Sequence, residues 1–170
     1  LSLVEVPLAA PGADEVVVRV EATPINPSDL GGLFAGASWA DFTQTGTPGH
    51  PALTGQVPAA ALPALRPRVG ERLVVGNESA GVVVAAGSNP EAQHLLGKTV
   101  ALTGGEMYQQ YRTVKANDCL VLDAQSTPAD GASSYVNPLT SQAMVEVMRL
   151  EGHKALVHTA AASNLGQMLN

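Results

Sequence analysis

The sequence predicts a mixed fold, α+β to α/β, in which a β-rich domain is followed by the beginning of an α/β domain. Short β-branched runs separated by glycine- and proline-rich turns occupy much of the chain before residue 127. After that point the apolar residues take helical spacing, and a short apolar run then precedes a loop of small residues. The 170 residues suffice for one ordinary domain, or for one domain and part of another.

Composition narrows the class of protein. Hydrophobic residues make up 45% of the chain and charged residues 14%, as in folded proteins, whereas the 4% of aromatics predicts a core of Val, Leu and Ala. The net charge is −6 and the basic residues are scattered, so we expect no nucleic-acid or membrane partner. Cys119 is the only cysteine, which excludes an internal disulfide and a multi-cysteine zinc site.

The sequence shows neither a membrane span nor a targeting signal. The apolar runs are too short to span a membrane, and the first residues lack the pattern of a signal peptide. We therefore expect a cytoplasmic location. Because Leu1 stands where an initiating Met would be, we also expect that residues precede it.

The first elements are a strand and a rigid loop. Residues 16–20 (VVVRV) form a β-branched run and predict a strand. Residues 24–29 (PINPSD) follow, and two prolines three positions apart exclude a regular helix or a central strand. Ser28 or Asp29 is then expected to cap a short helix that begins near Leu30.

Residues 31–70 are rich in Gly, Pro, Ala and Thr and show little periodicity, so we expect a long surface excursion. Strand-like runs return at residues 71–76, 80–86, 99–103 and 108–114, with turn signals at 87–90 and 104–105. Several short strands separated by turns predict a barrel-like β domain.

The helical part begins at Thr127, which is followed by Pro128 and Asp130 in the pattern of a helix start. Residues 137–140 (NPLT) are expected to interrupt the helical region. Residues 139–150 then show the spacing of a helix that ends at Gly152. Residues 154–159 predict a short buried strand, followed by a small-residue loop and a helix that begins near Leu165.

This C-terminal pattern predicts part of a larger domain. A helix of about six residues is marginal in water without packing partners. A single parallel strand without neighbours does not bury both of its faces. The last forty or so residues are therefore expected to be the first part of an α/β domain. A complete α+β protein with a helical tail remains an alternative.

Four segments together resemble the medium-chain dehydrogenase/reductase superfamily, in its zinc-free quinone and enoyl reductase branch. They are PINPSD at 24–29, GNESAGVV at 76–83, NPLT at 137–140 and ALVHTAAASNLGQ at 155–167. The resemblance implies a GroES-like β-barrel catalytic domain over residues 1–127. It also implies the truncated start of a Rossmann dinucleotide-binding domain over residues 128–170, with the active site in the cleft between them.

The resemblance bears on zinc. Zinc-dependent relatives carry a Cys in the segment matching residues 26–29 and a His at the position of Asn77. A catalytic zinc needs three protein ligands. Residues 26–29 contain no Cys and position 77 is Asn rather than His, so two of the three ligands are missing. The four histidines show no ligand-like spacing, so no metal site is predicted.

The implied activity is a zinc-independent transfer of hydride from NADPH or NADH to a small-molecule quinone or α,β-unsaturated carbonyl, with NADPH preferred by analogy. Without a Lewis acid, such conjugated acceptors are more plausible than alcohols or ketones. The alternatives are an enoyl thioester reductase, a zinc-type alcohol dehydrogenase relative and a non-catalytic GroES-like binding module. An enoyl thioester reductase would carry a catalytic Tyr where residues 32–39 have none. The full-length parent is expected to form a homodimer.

The resemblance also implies site residues. Asn26 would lie beside the nicotinamide and the substrate oxygen, although an Asn between prolines is also a common turn residue. Thr140 would lie at the nicotinamide end of the cofactor, or would be an ordinary helix-start hydroxyl. These two are the candidate catalytic residues. The candidate cofactor-binding residues are Asn26, Asn137, Thr140, Thr159, Ala160, Ser163, Asn164, Leu165 and Gly166.

The loop from Thr159 to Gly166 would present backbone N–H groups to a pyrophosphate, although Gly166 is its only glycine. Other residues have mainly structural interpretations. Asp29 is expected to be a cap or brace, and Cys119 a buried, inert thiol. Tyr108 and Tyr111 are expected in the core or on a strand surface, and Phe34 and Trp39 either line an apolar pocket or simply pack.

Overall fold

The computed structural model describes all residues from 1 to 170. Its strands are β1 (Glu15–Ala22), β2 (Thr43–Thr47), β3 (His50–Thr54), β4 (Glu78–Ala86), β5 (Thr99–Thr103), β6 (Tyr111–Lys115) and β7 (Leu120–Val121). Its α-helices are α1 (Pro27–Phe34), α2 (Leu62–Leu65), α3 (Pro90–His94), α4 (Pro128–Gly131), α5 (Val136–Leu150) and α6 (Asn164–Leu169).

The main sheet has five strands in the order β6-β1-β4-β5-β7, and all neighbouring strands are antiparallel. The pairing of β1 with β4 contains two register shifts, one of them opposite Gly81. A Cβ atom at Gly81 would collide with the carbonyl oxygen of Arg19, so only glycine allows this close approach of the two strands. Such irregularities bend and twist a sheet, as a barrel-like domain requires.

One face of this sheet carries the hydrophobic core. The β-branched residues predicted as a strand supply Val16 and Val18, which are fully buried. Residues from β4, β5, α3 and the loops complete the cluster: Val83, Val100, Leu102, Ala92, Leu95, Met107 and Ala116. The cluster contains no aromatic residue, in agreement with the low aromatic content.

The excursion at residues 31–70 lies mostly on the surface, as expected, but it contains more regular structure than its composition suggests. Strands β2 and β3 form a hairpin in which Thr43 pairs with Thr54. The N-terminus extends this hairpin, because the backbone N–H of Leu53 donates to the carbonyl of Leu1 at 2.7 Å. The Thr-rich strand β2 is exposed throughout and β3 is only partly buried, so neither has the apolar alternation by which strands are recognised in a sequence.

Two predicted strands are wrong. Residues 71–76 form no ladder: the N–H of Glu71 donates within a local turn, and the carbonyls of Val75 and Gly76 accept the N–H groups of Tyr108 and Met107. Residues 154–159 are also irregular, and all but His158 are exposed rather than buried. An apolar run becomes a strand only where another strand accepts its hydrogen bonds, and none within residues 1–170 pairs with this one.

The helical region follows the prediction with one correction. Thr127 caps α4 as expected. Residues 137–140 begin α5 rather than interrupt a helix, because Pro138 falls in the first turn, where a missing N–H costs nothing. The final helix α6 packs against α5. No helix of the chain is both long and apolar enough to cross a membrane.

Candidate functional site

The proline-bracketed loop is held in place by Asp29. Helix α1 begins at Pro27, three residues before the predicted start, with Asn26 at its N-cap position. The buried carboxylate of Asp29 accepts one hydrogen bond from the N–H of Asn26 at 2.8 Å and another from the N–H of Asn77 at 3.0 Å. This geometry matches the structural role expected for Asp29 and joins the loop to the start of β4.

The side chain of Asn26 is bound to Glu78, a residue that sequence reasoning did not single out. Asn26 Nδ2 donates to Glu78 Oε1 at 3.0 Å, and both side chains are buried. The other carboxylate oxygen accepts the N–H groups of Tyr135 at 2.8 Å and Val136 at 3.0 Å. These amides lie at the amino end of α5, where the helix dipole favours a negative charge. Glu78 therefore connects Asn26 to the start of α5.

A signal for Glu78 was present in the sequence. Residues 76–83 place one carboxylate at the beginning of an otherwise uncharged, apolar strand. A carboxylate buried in such a strand must be paired or accept several hydrogen bonds. What the sequence does not contain is the identity of the partners, which come from residues 52 to 58 positions away in the chain.

The two segments in which the resemblance would place zinc ligands, residues 26–29 and Asn77, are hydrogen-bonded to each other. Asn77 Nδ2 donates to Ser28 Oγ at 2.8 Å. An amide nitrogen and a hydroxyl do not belong to the usual ligand set of catalytic zinc, which is Cys, His and carboxylate. Across residues 1–170, no three His, Cys, Asp or Glu side chains come together in a way that could hold a metal ion.

Tyr108 closes the other side of the proline-bracketed loop. Its hydroxyl donates to the carbonyl of Pro24 at 2.9 Å, and its ring lies so close to Gly76 that a Cβ there would come within 2.5 Å of it. Burial, followed by the negative charge of Asp29, raises the pKa of Tyr108 to about 12. Tyr108 precedes β6, so its predicted position within a strand is wrong, although its structural role agrees with expectation.

Asn137 and Thr140 lie in the first turns of α5, and both are half-buried. The Thr140 hydroxyl donates to the carbonyl of Val136 at 2.6 Å, the i→i−4 bond of a hydroxyl within a helix, because α5 begins four residues before Thr140 rather than at it. Thr140 also borders an open groove of about 430 Å³, lined mainly by Ala143, Met144 and other apolar residues of α5 and the following segment. The structure thus brings Asn26 to the helix that carries Asn137 and Thr140.

The small-residue loop before α6 is compact. Ser163 Oγ accepts the N–H of Gly166 at 3.1 Å, and Gly166 is buried against the loop. A Cβ atom at Gly166 would lie 2.6 Å from the carbonyl oxygen of Ala160. The N–H groups of Asn164 and Leu165 make no hydrogen bond to the preceding turn, as is normal at a helix start.

The loop remains separate from the first cluster. Most of its residues are exposed, including Thr159, Ala160, Ser163 and Asn164, whereas Leu165 is half-buried. No hydrogen bond within residues 1–170 joins the loop to Asn26 or Glu78. The structure therefore shows two clusters: one around Glu78, which brings Asn26 to α5, and the other at the start of α6.

Three aromatic residues and the cysteine have packing roles. Phe34 contacts Trp39 and Phe42, with ring centroids 4.2 Å and 5.4 Å apart. Trp39 is otherwise largely exposed, which favours mutual packing on the surface over an enclosed pocket. Burial raises the pKa of Cys119 to about 11, with a further contribution from Asp118, so the thiol stays protonated and unreactive at neutral pH.

Comparison with known families decides the classification. The family model described as the alcohol dehydrogenase GroES-like domain matches residues 12–126, which contain all seven strands and the Asn26–Glu78 pair. The chain belongs to this family. The match confirms the GroES-like domain predicted from the sequence.

Solved structures similar to this GroES-like chain include reductases. A protein from Mesorhizobium loti, provisionally identified as an NADPH:quinone reductase, is 31% identical with a TM-score of 0.61, over 95% of this chain and 40% of that one. The Escherichia coli quinone oxidoreductase in complex with NADPH is 20% identical with a TM-score of 0.58, over 98% of this chain and 43% of that one. The CurK enoyl reductase is 19% identical with a TM-score of 0.63, over 96% of this chain and 44% of that one.

These neighbours confirm the resemblance to quinone and enoyl reductases of the medium-chain superfamily. The GroES-like chain spans about two-fifths of the length of these solved structures. No curated protein matches it significantly.

Proposed function

We propose that the protein carrying this chain is an NADPH-dependent oxidoreductase that reduces a quinone or an α,β-unsaturated carbonyl without a catalytic zinc. The observation that carries the proposal is the buried bond between Asn26 and Glu78, anchored at the amino end of α5. It joins the GroES-like domain to α5, the long helix of the region from residue 128 onward. That region is, in the same proposal, the start of a Rossmann domain.

In this proposal the role of Asn26 is to bind the acceptor oxygen. An asparagine amide has two N–H donors, and Glu78 occupies one of them. The second is free to stabilise the negative charge that develops on the acceptor oxygen during reduction. Glu78 positions the amide, because its two other hydrogen bonds to backbone N–H groups hold the carboxylate in a single orientation.

The cofactor would be held by the second cluster. The free N–H groups of Asn164 and Leu165 and the exposed backbone of residues 159–163 suit a pyrophosphate group, and Gly166 allows the loop to fold this closely. Thr140 and Asn137 would bind the nicotinamide end. When bound, NADPH would supply the hydride, and the residues of this chain would place the acceptor and exclude water. The matching M. loti and E. coli proteins support NADPH over NADH.

The hydrogen bond between Ser28 and Asn77 supports the absence of zinc from the mechanism. Both side chains lie in the segments that would have to supply ligands, and they are engaged with each other. Without a metal to stabilise an alkoxide, a conjugated acceptor is the chemistry that an amide donor such as Asn26 can assist. A homodimer of the full-length protein belongs to the same proposal.

The test uses the full-length protein that carries this chain. We expect NADPH oxidation with menadione or a simple enone as acceptor, and no loss of rate after treatment with a metal chelator. The variant Asn26→Ala should lower kcat/KM for the acceptor by about 10²-fold, the usual effect of removing one donor to a developing oxyanion, and leave the Kd of NADPH almost unchanged.

The matched control is Gln142→Ala, an exposed residue of α5 whose only side-chain bond is to Glu146. It should retain wild-type rates. Three results would each contradict the proposal: absence of NADPH binding in a titration, activity that disappears with chelation and returns with zinc, or an Asn26→Ala variant as active as the wild type. The first would favour a non-catalytic GroES-like binding module.

A further inference from the structure

Strand β2 is exposed along its whole length. Each residue of Thr43–Thr47 is open to solvent, and the backbone of the strand bonds only to β3. The N-terminal residues pair with the far side of β3, so they cover the other edge of the hairpin and leave β2 open. A two-stranded hairpin has little stability of its own, and β2 contributes no residue to the hydrophobic core. The open edge of β2 is therefore able to accept another strand.

The ladder shows which backbone groups of β2 point to this open edge. On β3, the N–H of Leu53 and the carbonyl of Pro51 bond to the N-terminal residues at 2.7 Å and 3.2 Å, so both residues direct their backbone groups away from β2. Opposite residues of an antiparallel pair either bond to each other or both point outward. Gln44 is paired with Leu53, and Gly46 with Pro51. The N–H and C=O groups of Gln44 and Gly46 therefore face outward.

The open edge lacks the features that usually prevent strand addition. Exposed edge strands are commonly protected by charged side chains or by proline. Strand β2 reads TQTGT and has neither, and no Asp, Glu, Lys or Arg occurs between Asp41 and Arg66. The chain as a whole carries a net charge of −6, so two copies repel each other over most of their surface. The uncharged hairpin is a place where they can approach.

The open edge is also complementary to itself. Gln44 and Gly46 lie symmetrically on either side of Thr45, so a twofold axis at Thr45 places Gln44 of one copy opposite Gly46 of the other. Each such pair exchanges both of its N–H···O=C bonds. Thr43 then lies opposite Thr47 and Thr45 opposite itself, and cross-strand threonine pairs are favourable. Contacts of this isologous kind close at two copies.

We propose that β2 pairs with β2 of a second copy of this chain, antiparallel and about a twofold axis at Thr45. The two hairpins then form one continuous sheet, and a sheet of more than two strands has the stability that a single hairpin lacks. Because one pair of short strands buries little surface, the association is reversible and depends on protein concentration. Neither Asn26 nor Glu78 takes part in it, so it does not depend on the proposed reductase activity.

Sedimentation equilibrium of the full-length protein at several concentrations measures the association. The variant Gln44→Pro removes the outward N–H of Gln44, which does not bond to β3, so the hairpin itself tolerates the proline. Its Kd for association should rise by about tenfold or more, since the contact loses one donor in each copy. The control Gln56→Pro makes the same substitution at an exposed position outside the strands and should leave the Kd unchanged.

A second variant leaves the backbone intact. Thr45→Lys places two like charges opposite each other at the twofold axis and should also raise the Kd by about tenfold or more. Circular dichroism verifies that both variants keep the native fold. A dimer formed elsewhere in the full-length protein would persist in both variants, whereas the increase in mass with concentration would be lost.

Cross-linking tests the register. In the proposed pairing the two Thr45 Cα atoms are about 4.5 Å apart, a separation that a disulfide spans, so Thr45→Cys should form a disulfide-linked dimer under mild oxidation. The control Thr43→Cys should not, because two copies of position 43 would lie about 13 Å apart along the strands. Peptide mapping identifies the linked cysteine.

Four results would each overturn the proposal. They are a wild-type mass that does not change with concentration, a Kd that is the same in Gln44→Pro and Gln56→Pro, cross-linking of Thr43→Cys as efficient as that of Thr45→Cys, and slow hydrogen exchange of the Gln44 amide at concentrations where the copies are apart. The last would show that β2 is covered by another part of the same molecule.

Discussion

Asn26 and Glu78 are 52 positions apart in the sequence, and their buried side chains are joined by a hydrogen bond of 3.0 Å. The same carboxylate accepts two backbone N–H groups at the start of α5. One side chain thus satisfies donors from a loop and from a helix that would otherwise be buried without acceptors. Its contribution is both structural, since it holds two elements together, and functional in the proposed reaction, since it orients Asn26.

The variant Glu78→Gln should therefore be less stable than the wild type. A glutamine amide has only one oxygen, so its NH₂ group faces either the two N–H groups at the start of α5 or Asn26, which then keeps Nδ2 against another donor or turns its amide out of the native orientation. A buried donor that faces another donor costs about 1–3 kcal/mol, so we expect the free energy of unfolding to fall by that amount. Chemical denaturation monitored by circular dichroism measures it.

The control for this prediction is Glu5→Gln, which makes the same chemical change at an exposed residue without hydrogen bonds and should leave stability unaltered. If Glu78→Gln and Glu5→Gln unfold at the same denaturant concentration, the carboxylate is not the shared acceptor described above.

Ionisation of the Tyr108 hydroxyl should lower the free energy of unfolding at alkaline pH. Its pKa is raised from 10.0 to about 12 by burial and by the charge of Asp29. A group with a raised folded-state pKa contributes stability that is fully present below pH 10 and is lost as pH rises through about 12. The variant Tyr108→Phe should lose this contribution and, by removal of the bond to Pro24, about 1 kcal/mol at neutral pH.

Spectrophotometric titration near the tyrosinate absorbance band provides the measurement. Asp29→Asn should lower the pKa of Tyr108, because it removes a nearby negative charge that opposes ionisation. A Tyr108 that titrates with the same pKa in the wild type and in Asp29→Asn would show that the carboxylate does not act on the phenol.

Much of the fold was accessible from local sequence, because the signals for those elements are local. The run at 16–20, the helix start at Thr127 and the helix up to Leu150 depend on propensity, periodicity and capping within a few residues. The two wrong strands, at 71–76 and 154–159, were apolar runs whose outcome depends on whether a distant partner strand is present.

The candidate site divides in the same way. Asn26, Asn137 and Thr140 were identified through motifs, but the residue that connects them, Glu78, was not. Its role is defined by three hydrogen bonds to residues more than fifty positions away. Contacts of that range follow from the packing of the whole domain, and a single sequence does not contain them in readable form.

The capping box of α4 predicts a stability difference that disappears in acid. The Thr127 hydroxyl and N–H both donate to Asp130, and these bonds lower the pKa of that carboxyl below its usual value. Because the pKa of Asp130 is lower in the folded protein, its ionised form stabilises the fold at pH values above the ordinary pKa of 3.8. This stabilisation is lost as the pH falls through the pKa of the folded state. Asp130→Asn should therefore melt at a slightly lower temperature than the wild type at pH 7, with the gap closing in strong acid.

Thermal melts across this pH range measure the effect, and Thr127→Ser, which keeps the hydroxyl, serves as the control. A gap between Asp130→Asn and the wild type that persists or widens in acid would mean that the ionised form of Asp130 is not what stabilises the start of α4.

The substitution Gly166→Ala tests whether the loop before α6 forms the cofactor site. The added methyl group would lie 2.6 Å from the carbonyl oxygen of Ala160, so the loop must shift or the helix start must unwind, at a cost of about 1–3 kcal/mol. We expect the Kd of NADPH in the full-length protein to rise by about tenfold, since the free N–H groups of Asn164 and Leu165 would move with the loop.

The control is Gly49→Ala, where an added Cβ has no atom within 4 Å and should leave both stability and binding unchanged. A Gly166→Ala protein that binds NADPH as tightly as the wild type, while amide hydrogen exchange shows that the start of α6 has loosened, would place the cofactor elsewhere.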